Sequence, residues 1–363
     1  MTAQPKVPPA RVVRVVERVR QGLSQLNRRL APPPAEMLEL MLGTWVSQAI
    51  TAAAALGIAD ALTDGPLPAG ELARRVDANP DAVDRLMRAL VSRGVFRRHR
   101  DGRYGLNALA ETLRSEAATS MRAATLFYGS RQQREHWTHL VDAIKTGEPV
   151  VSSLRGKEFF DYLGDDPEFA GLFNGAMTSI SEMSMQPVVA GYDFGRHSTI
   201  VDVGGGHGRL LSAILTAAPA SRGVLYDLPD VVADAPALLA EFGLTDRVDV
   251  RPGSFFDSVP GGGDAYVLKN IIHDWAHEQA LTILRNVRAA IKPGATLLLV
   301  EFVIPEHDGE FVGKWVDLEM LVVAGGRERT AEQYRSLLAE AGFRMAAVVP
   351  TAAPISVVEA VPA

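Results

Sequence analysis

The chain of 363 residues contains no cysteine. This absence excludes disulfide bonds, cysteine zinc sites and thiol nucleophiles. It fits a reducing compartment, and the first ten residues (MTAQPKVPPA) lack the apolar segment that a secretory signal peptide needs. We therefore expect a cytoplasmic protein.

The sequence also has little excess charge of either sign. Its net charge is −6 and its pI is about 5.8, values that do not indicate a nucleic-acid or membrane partner. One uncharged run, residues 40–59 (LMLGTWVSQAITAAAALGIA), is long enough to cross a bilayer. Its many alanines, its polar residues and the absence of flanking basic clusters favour a helix buried in protein instead.

The N-terminal region has strong helical signals. Residues 10–30 predict an amphipathic helix with an apolar stripe and an arginine-rich face, and the prolines of APPP at 31–34 end it. Residues 66–105 predict a short helix, a turn, a second helix ended by Gly94, and a hairpin with an Asp101-Gly102 turn. A helix-turn-helix followed by a two-stranded wing is the winged-helix pattern.

A winged helix can bind DNA, and the sequence contains features for and against DNA binding. The candidate recognition helix carries Asp81 and Asp84 beside Arg85 and Arg88, which disfavours contact with phosphate. The wing is basic, with arginines at positions 97, 98, 100 and 103. The acidic residues of the helix make us predict no nucleic-acid partner.

The second half of the chain changes character. Helical patterns fill residues 107–190, and apolar strands then alternate with helices from His197 onwards. This alternation predicts an α/β domain with a parallel sheet, and the last twenty residues predict two further antiparallel strands at an edge. We expect three parts: a winged-helix domain (1–110), a helical linker and pocket region (111–190) and an α/β domain (191–363).

A glycine-rich loop, residues 201–208 (VDVGGGHG), ends one strand and opens a helix. A dinucleotide fingerprint needs a further glycine where this chain has Arg209, so the loop fits a pyrophosphate poorly. Asp227 ends the next strand, where an acid can accept hydrogen bonds from both ribose hydroxyls. A nucleoside without pyrophosphate fits both features, and S-adenosylmethionine is the candidate. The alternative is that Asp227 caps a helix starting at Pro229.

His273 follows the strand DAYVLKN, at the edge where α/β sheets bind ligands. It could instead simply start the helix entered at Trp275. His273 and His277 have the spacing of a zinc helix, but Asp274 stands where that motif has glutamate, and no third ligand motif follows. We predict no metal site.

Five blocks together carry a family resemblance: VDVGGGHG (201–208), YDLPDVV (226–232), GSFF (253–256), LKNIIHDW (268–275) and GGRERT (325–330). In order and spacing the sequence resembles the plant-type small-molecule O-methyltransferases, typified by caffeic acid O-methyltransferase, and their bacterial natural-product relatives. The resemblance covers nearly the whole chain. It implies a Rossmann-like S-adenosylmethionine domain behind a mainly helical winged-helix dimerisation domain, and a homodimer that methylates a hydroxyl of a small aromatic or polyketide-like molecule.

The resemblance also implies roles for individual residues. The cofactor would be lined by Gly204, Gly206, Asp227, Leu228, Ser254, Phe255 and Lys269, and would leave as S-adenosylhomocysteine. Family members often have aspartate at the position of Ser254, and the neutral serine hydroxyl is a weaker partner for adenine, so Asp257 is an alternative. His273 would be the general base, flanked by Glu301 and Glu328.

The acceptor, by the same resemblance, would contact Phe127, Tyr128, Phe173, Met177, Asp274 and Met320. An alternative is that the protein is a homologue that binds the cofactor but methylates nitrogen or carbon, or performs other chemistry. A histidine with two acids favours an oxygen acceptor.

Overall fold

The computed structural model describes residues 7–363, which form two compact units. We call them the sheet unit and the helical unit. The sheet unit holds the chain up to Gln21, Leu140–Phe159 and Ser184–Ala363. The helical unit holds Gly22–His139 and Phe160–Met183.

The first half of the chain is helical except for one short hairpin. Its elements are α1 (Ala10–Leu30), α2 (Pro33–Met41), α3 (Gly43–Ala55), α4 (Ile58–Ala61), α5 (Ala69–Arg75), α6 (Pro80–Ser92), β1 (Arg97–Arg98), β2 (Tyr104–Gly105), α7 (Ala108–Glu111), α8 (Arg122–Tyr128), α9 (Arg131–Thr138), α10 (Leu140–Thr146), α11 (Val150–Arg155), α12 (Phe159–Asp165) and α13 (Pro167–Gly191).

The predicted winged-helix elements are all present. Helix α6 begins with Pro80 behind Asn79, whose side chain accepts a hydrogen bond from Ala82 N at 3.1 Å. Strands β1 and β2 pair antiparallel around the predicted turn. Tyr104 lies fully buried in the core of this unit and donates its hydroxyl to Asp84 at 2.7 Å.

The single buried helix predicted over residues 40–59 is wrong. The segment is broken at Leu42 and at Gly57, which adopts a left-handed φ of 67°. Its buried residues all lie in the second half, at Ala53, Ala54, Ile58 and Ala59, whereas Leu40, Met41 and Trp45 in the first half are 59%, 66% and 73% exposed. An apolar composition therefore did not distinguish residues buried in the subunit from residues on its surface.

The described part of the chain, residues 7–363, has no helix that is both long and apolar enough to cross a membrane. The break at Leu42 and the break at Gly57 account for this in the one run where length alone allowed a span.

The second half of the chain alternates strands and helices, as predicted. Its elements are β3 (Thr199–Val203), α14 (Arg209–Ala217), β4 (Arg222–Asp227), α15 (Pro229–Val232), α16 (Ala235–Glu241), β5 (Val248–Pro252), β6 (Ala265–Lys269), α17 (His277–Ala290), β7 (Thr296–Ile304), α18 (Val312–Val323), β8 (Arg329–Thr330), α19 (Ala331–Glu340), β9 (Phe343–Pro350) and β10 (Ile355–Pro362), with 3₁₀ turns at Phe194–Arg196 and Ile272–Asp274.

The main sheet has eight strands in the order β5-β4-β3-β6-β7-β10-β9, and β8 pairs with the end of β7. The strands β3 to β7 run parallel, while β10 is antiparallel to both β7 and β9. The predicted parallel sheet and antiparallel C-terminal pair are thus confirmed. Two buried apolar clusters cover its two faces, as a parallel sheet requires.

The strand order reverses between β3 and β6, because β4 and β5 extend one way and β6 and β7 the other. A doubly wound sheet opens a crevice at the carboxyl ends of the strands at such a reversal, and ligands bind there. The loops after β3, β4 and β6 all leave this edge, so the fold brings the predicted motifs together.

Candidate active site

The glycine loop after β3 is shaped by backbone conformations that side chains disfavour. Gly204, Gly206 and Gly208 have φ values of 69°, 60° and 85°. A Cβ on Gly204 would come within 2.5 Å of Ile271 Cδ1, whereas a Cβ on Gly206 would meet no atom within 4 Å. The loop is therefore packed on one side and open at Gly206, which leaves room for a ligand against the backbone.

Asp227 is held by this loop. Its Oδ2 accepts a hydrogen bond from Gly206 N at 2.8 Å, and its Oδ1 accepts one from Leu228 N at 2.7 Å. Helix α15 has no side-chain cap, so the alternative that Asp227 caps it is wrong. Each carboxylate oxygen has a second lone pair, so the side chain is oriented and still able to accept two further bonds. Burial raises the pKa of Asp227.

The GSFF block follows β5 in a loop whose backbone is held by a side chain of α17. Asn286 of α17 donates its side-chain amide to the carbonyls of Phe255 at 2.9 Å and Phe256 at 2.8 Å. The ring of Phe255 is partly buried and lies edge-on to Phe256, with centroids 5.0 Å apart. Ser254 Oγ accepts a hydrogen bond from Phe256 N at 3.2 Å, while Asp257 is exposed.

Buried charge lies beneath the loop and the neighbouring strand end. Asp202 of β3 is 1% exposed, and burial raises its pKa to about 7. Lys269 ends β6, where burial lowers its pKa to about 8 although Glu301 and Asp202 favour its charged form. Lys269 thus links the charges under the glycine loop with those described next.

His273 lies in the 3₁₀ turn after β6 and is 7% exposed. The following helix begins only at His277, so His273 does not start it. Its Nδ1 lies 2.6 Å from Glu328 Oε1, and its Nε2 lies 3.4 Å from Asp274 Oδ1. A carboxylate on Nδ1 keeps the proton on that nitrogen in the neutral ring, which leaves Nε2 as the basic atom.

Glu301 approaches the same turn from β7. It is fully buried, and its Oε1 accepts hydrogen bonds from the backbone nitrogens of Ile271 at 3.2 Å and Ile272 at 2.9 Å. Glu301 therefore holds the backbone that carries His273, whereas Glu328 holds the ring. Burial raises the pKa of Glu301 to about 7.

Electrostatics inside this cluster favour a protonated histidine. Burial by itself lowers the pKa of His273, but the carboxyl groups of Asp274, Glu301 and Glu328 outweigh it and raise the pKa to about 10. Burial raises the pKa of Asp274 to about 6. The carboxyl groups around His273 therefore favour its charged form.

The segment 325–330 closes over the turn. A Cβ on Gly326 would lie 2.0 Å from the carbonyl oxygen of His273, so only glycine fits there. Arg327 N donates to that same carbonyl at 2.8 Å, and Glu328 N donates to Asp317 Oδ1 at 2.8 Å. The segment therefore contacts both the backbone and the ring of His273.

One arrangement of donor atoms in the described residues could hold a metal ion. One ligand atom each from His273, Glu301 and Glu328 lies within 4.8 Å of the others. His277, the other member of the predicted zinc-like spacing, is instead exposed and bonded to Glu340 at 3.1 Å. The absence of a metal stays a prediction.

The residues predicted to contact the acceptor divide between the two units. Phe127, Tyr128, Phe173 and Met177 belong to the helical unit, and Asp274 and Met320 belong to the sheet unit. Within the helical unit, Phe127 is 2% exposed and its ring lies 5.5 Å from that of Phe173. Tyr128 is 43% exposed, and Met320 is buried.

Several residues of the site were not found from the sequence: Asp202, Asn286, Asp317, Gly326 and Arg329. Asp202 and Arg329 stand inside recognised motifs as charges among apolar or glycine neighbours, a signal that could have identified them. Asn286 and Asp317 lie on helices with no local signal, since their partners are 31 and 11 residues away.

Comparison with known protein families identifies the chain. An O-methyltransferase domain matches residues 137–344, and an O-methyltransferase dimerisation domain matches residues 38–116. The protein belongs to the O-methyltransferase family. The dimerisation match includes the whole winged-helix region, so the DNA-binding alternative has no support.

Two relatives and one solved structure illustrate the likeness. Phenazine O-methyltransferase PhzM of Lysobacter antibioticus is 40% identical over 94% of this chain and 100% of its own. O-demethylpuromycin-O-methyltransferase of Streptomyces alboniger is 38% identical over 90% of this chain and 88% of its own. The structure of CalO1, a methyltransferase in calicheamicin biosynthesis with S-adenosylhomocysteine bound, has a TM-score of 0.81 at 32% identity, covering 92% of this chain and 100% of that one.

The protein is therefore an S-adenosylmethionine-dependent O-methyltransferase, with a Rossmann-like domain behind a dimerisation domain. The predicted family, fold class, enzyme class and cofactor are confirmed.

Proposed function

We propose that this enzyme methylates a hydroxyl of a flat aromatic or polyketide-like molecule, with His273 as its general base. The observation that carries the proposal is the 2.6 Å contact between His273 Nδ1 and Glu328 Oε1 in a buried turn at the ligand edge of the sheet. The phenazine in the name of a 40% identical relative supports a flat acceptor.

The residues at the glycine loop fit the cofactor. When bound, S-adenosylmethionine supplies a methyl group activated by a positively charged sulfur. Asp227 has the free lone pairs to accept from both ribose hydroxyls, and Gly206 has the open space beside the backbone. We assign the remaining contacts to Gly204, Leu228, Phe255 against the adenine face, Lys269, and Ser254 toward the adenine edge.

The base acts at Nε2. The acceptor hydroxyl would donate to neutral Nε2, and this nitrogen would take the hydroxyl proton as the oxygen bonds to the methyl group that the bound cofactor would supply. With its ordinary pKa near 6.5, histidine would take a proton from a phenol of pKa near 10 at a cost of about 5 kcal/mol. The acid cluster, which raises the pKa of His273 to about 10, lowers the cost of transfer to the neutral ring, and the fraction of neutral ring then increases with pH.

The acids divide the work of orienting the base. Glu328 fixes the tautomer and rotation of the ring, and Glu301 fixes its backbone. On the acceptor side we assign Phe127, Tyr128, Phe173, Met177 and Met320 to apolar contacts and Asp274 to a polar contact. Asp274 is suited to that contact because its carboxylate lies beside the basic nitrogen.

Assembly and organisation complete the proposal. We infer a homodimer, supported by the matched dimerisation domain and the exposed apolar residues of α1 to α3. The division into 1–110, 111–190 and 191–363 and the cytoplasmic location remain part of the proposal.

An acceptor screen tests the function. The purified enzyme is incubated with isotopically labelled S-adenosylmethionine and a panel of hydroxylated phenazines, naphthoates and simple phenols, with matched amines as controls, and products are identified by mass and bond position. We expect methyl ethers from the flat phenols. Transfer only to amines or to ring carbon would contradict an oxygen acceptor, and an unchanged rate after chelation supports the absence of a metal.

A further inference from the structure

Arg329 is a buried arginine next to the base, and none of the roles above involves it. It is 2% exposed and follows Glu328 in the chain. Its Nη1 donates to the carbonyl of Ile272 at 3.1 Å and to that of Arg327 at 3.2 Å. One guanidinium nitrogen therefore joins the turn that carries His273 to the segment that closes over it.

The Ile272 carbonyl is the critical partner. The amide nitrogen of Ile272 is already held by Glu301, so with Arg329 both polar backbone groups of this residue are fixed by buried charged side chains. The next carbonyl, that of His273, is held by Arg327 N. Three consecutive backbone contacts thus leave the histidine little freedom to move, and buried hydrogen bonds to charged groups are among the stronger ones.

Arg329 also places a permanent positive charge near the acids of the site. Burial lowers the pKa of Arg329, but a guanidinium stays protonated throughout the working range of a protein. The turn is surrounded by three acids, Glu301, Glu328 and Asp274, whose charges His273 balances only while it is protonated. When His273 is neutral and able to act as a base, Lys269 and Arg329 are the buried cations that remain near the acids. The pKa of Lys269 is lowered to about 8, whereas the guanidinium keeps its charge throughout the working range.

We propose that Arg329 is a positioning residue for His273 and the fixed counter-cation that stabilises the cluster while His273 is neutral. The inference rests on the proposed function of His273 as the base. Lysine would keep the charge, but its ammonium sits on a flexible chain and would hold the two carbonyls less firmly than the rigid guanidinium does. Methionine would remove both the charge and the two hydrogen bonds.

The charged and titratable groups around the base come from several elements. They are Lys269 at the end of β6, Asp274 in the turn, Glu301 on β7, Asp317 on α18, Glu328 and Arg329 in the closing segment, and Tyr334 on α19, whose buried hydroxyl lies beside the guanidinium. The closing segment also carries Arg327, whose side chain is exposed, so Arg329 is the buried guanidinium among these groups.

The test compares Arg329→Met, Arg329→Lys and a matched control, Arg247→Met, in the full-length enzyme. Arg247 also holds backbone carbonyls in the sheet unit, those of Leu215, Ala218 and Ser221, but away from the base. Histidine-labelled protein saturated with S-adenosylhomocysteine is titrated by NMR, with the His273 signal assigned by its loss in His273→Asn. Methyl transfer to a hydroxylated phenazine is measured in parallel.

We expect Arg329→Met to raise the pKa of His273 by about one unit, because a neighbouring cation is lost. Its kcat should fall on the order of 10–100-fold per folded enzyme, with the KM for cofactor within about twofold. Arg329→Lys should keep the wild-type pKa but recover only part of kcat. Arg247→Met should lower the melting temperature and leave the pKa unchanged.

Other outcomes would overturn the inference. An unchanged or lowered pKa in folded Arg329→Met refutes the counter-cation, and an unchanged kcat refutes positioning. If Arg329→Met does not fold, a full recovery of kcat in Arg329→Lys refutes positioning, and a raised His273 pKa in that variant refutes the counter-cation. If the wild type methylates no hydroxyl, the proposed function fails, while the NMR titration still decides the role of Arg329.

Discussion

At the scale of single residues, the proposed site combines a histidine whose charged form is favoured by neighbouring acids with contacts that keep its ring in one orientation. His273 is bonded through Nδ1 and lies near a carboxylate through Nε2. A ring held on one side presents a single nitrogen to the acceptor. The fall in kcat that follows removal of the imidazole ring should therefore depend on the pKa of the acceptor hydroxyl.

His273→Ala should lower kcat by roughly 10²–10⁴-fold, the usual contribution of a positioned base. The loss should be smaller for phenols of lower pKa, since they need less help to lose a proton. His277→Ala is the control, because His277 is exposed and pairs with Glu340. Rates across phenols of graded pKa at saturating cofactor check this, and a loss independent of phenol pKa would argue for positioning alone.

The pH dependence has a definite sign. Because the base must be neutral and its pKa is raised to about 10, kcat/KM should increase with pH from 7 to 9. Glu328→Gln removes a negative charge that raises this pKa and keeps only a neutral acceptor, so the rising limb should move to lower pH while the plateau falls. Glu332→Gln, at an exposed position on α19, should leave the limb unmoved. A limb that moved to higher pH in Glu328→Gln would contradict the assignment.

Asp227 should govern cofactor affinity. Asp227→Ala should weaken binding of S-adenosylmethionine by at least about tenfold, equivalent to about 1.4 kcal/mol, because a charged acceptor is lost. Asp230→Ala is matched in charge and lies exposed on α15, so its affinity should be that of the wild type. Calorimetry gives both values, and equal affinities in the two variants would refute the ribose contact.

At the scale of elements, the closing segment 325–330 should tolerate almost no added bulk. Gly326→Ala would place a methyl group 2.0 Å from the carbonyl oxygen of His273, so the turn or the segment must shift. We expect kcat to fall by about 10²-fold, the effect of a displacement of about 1 Å at a catalytic group. The equivalent Cβ on Gly261 would make only an ordinary contact at 3.6 Å, so Gly261→Ala should retain full activity. A wild-type rate in folded Gly326→Ala would show that the segment is free to move.

Element order was largely predictable from the sequence because the patterns are local. The wing turn, the alternation of strands and helices and the antiparallel C-terminal pair all depend on residues a few positions apart. The two-residue strand β8 was missed, since it is too short to show a period. The breaks in residues 40–59 were missed because Leu42 carries no stop signal and Gly57 is a single glycine inside an uncharged apolar run.

The site was predictable only where a motif places a charge at a strand end. Asp227 ends β4 and His273 lies in the turn after β6, whereas Glu301 lies inside β7, which continues to Ile304. Arg329 and Asn286 could not be predicted in this way, because they bind backbone carbonyl groups 57 and 31 residues away in the chain. Every residue has a backbone carbonyl, so the sequence does not show which one is bound. The roles of the acceptor residues stay predictions for a related reason: they depend on side chains from both units.

At the scale of the whole molecule, the N-terminal helices expose more apolar surface than an isolated subunit should. The seven large apolar residues of the α1 stripe are 45–78% exposed. Light scattering should give a dimer of 39.0 kDa subunits without detergent. The double variant Leu23→Glu with Leu26→Glu should weaken the dimer. Phe242→Glu changes an exposed residue of the sheet unit and should leave the dimer intact. A monomeric wild type would contradict the homodimer.

The order of the last strands has a consequence for how the protein opens. Among the described strands β9 pairs only with β10, and β10 pairs with β7 beside Glu301, opposite Ser356. β9 forms the edge of the sheet and β10 lies between it and β7, so departure of the β9–β10 hairpin uncovers the strand that carries Glu301. We expect the amides of β9 and β10 to exchange with deuterium as one cooperative unit, and the same rare opening to give water access to the buried acids.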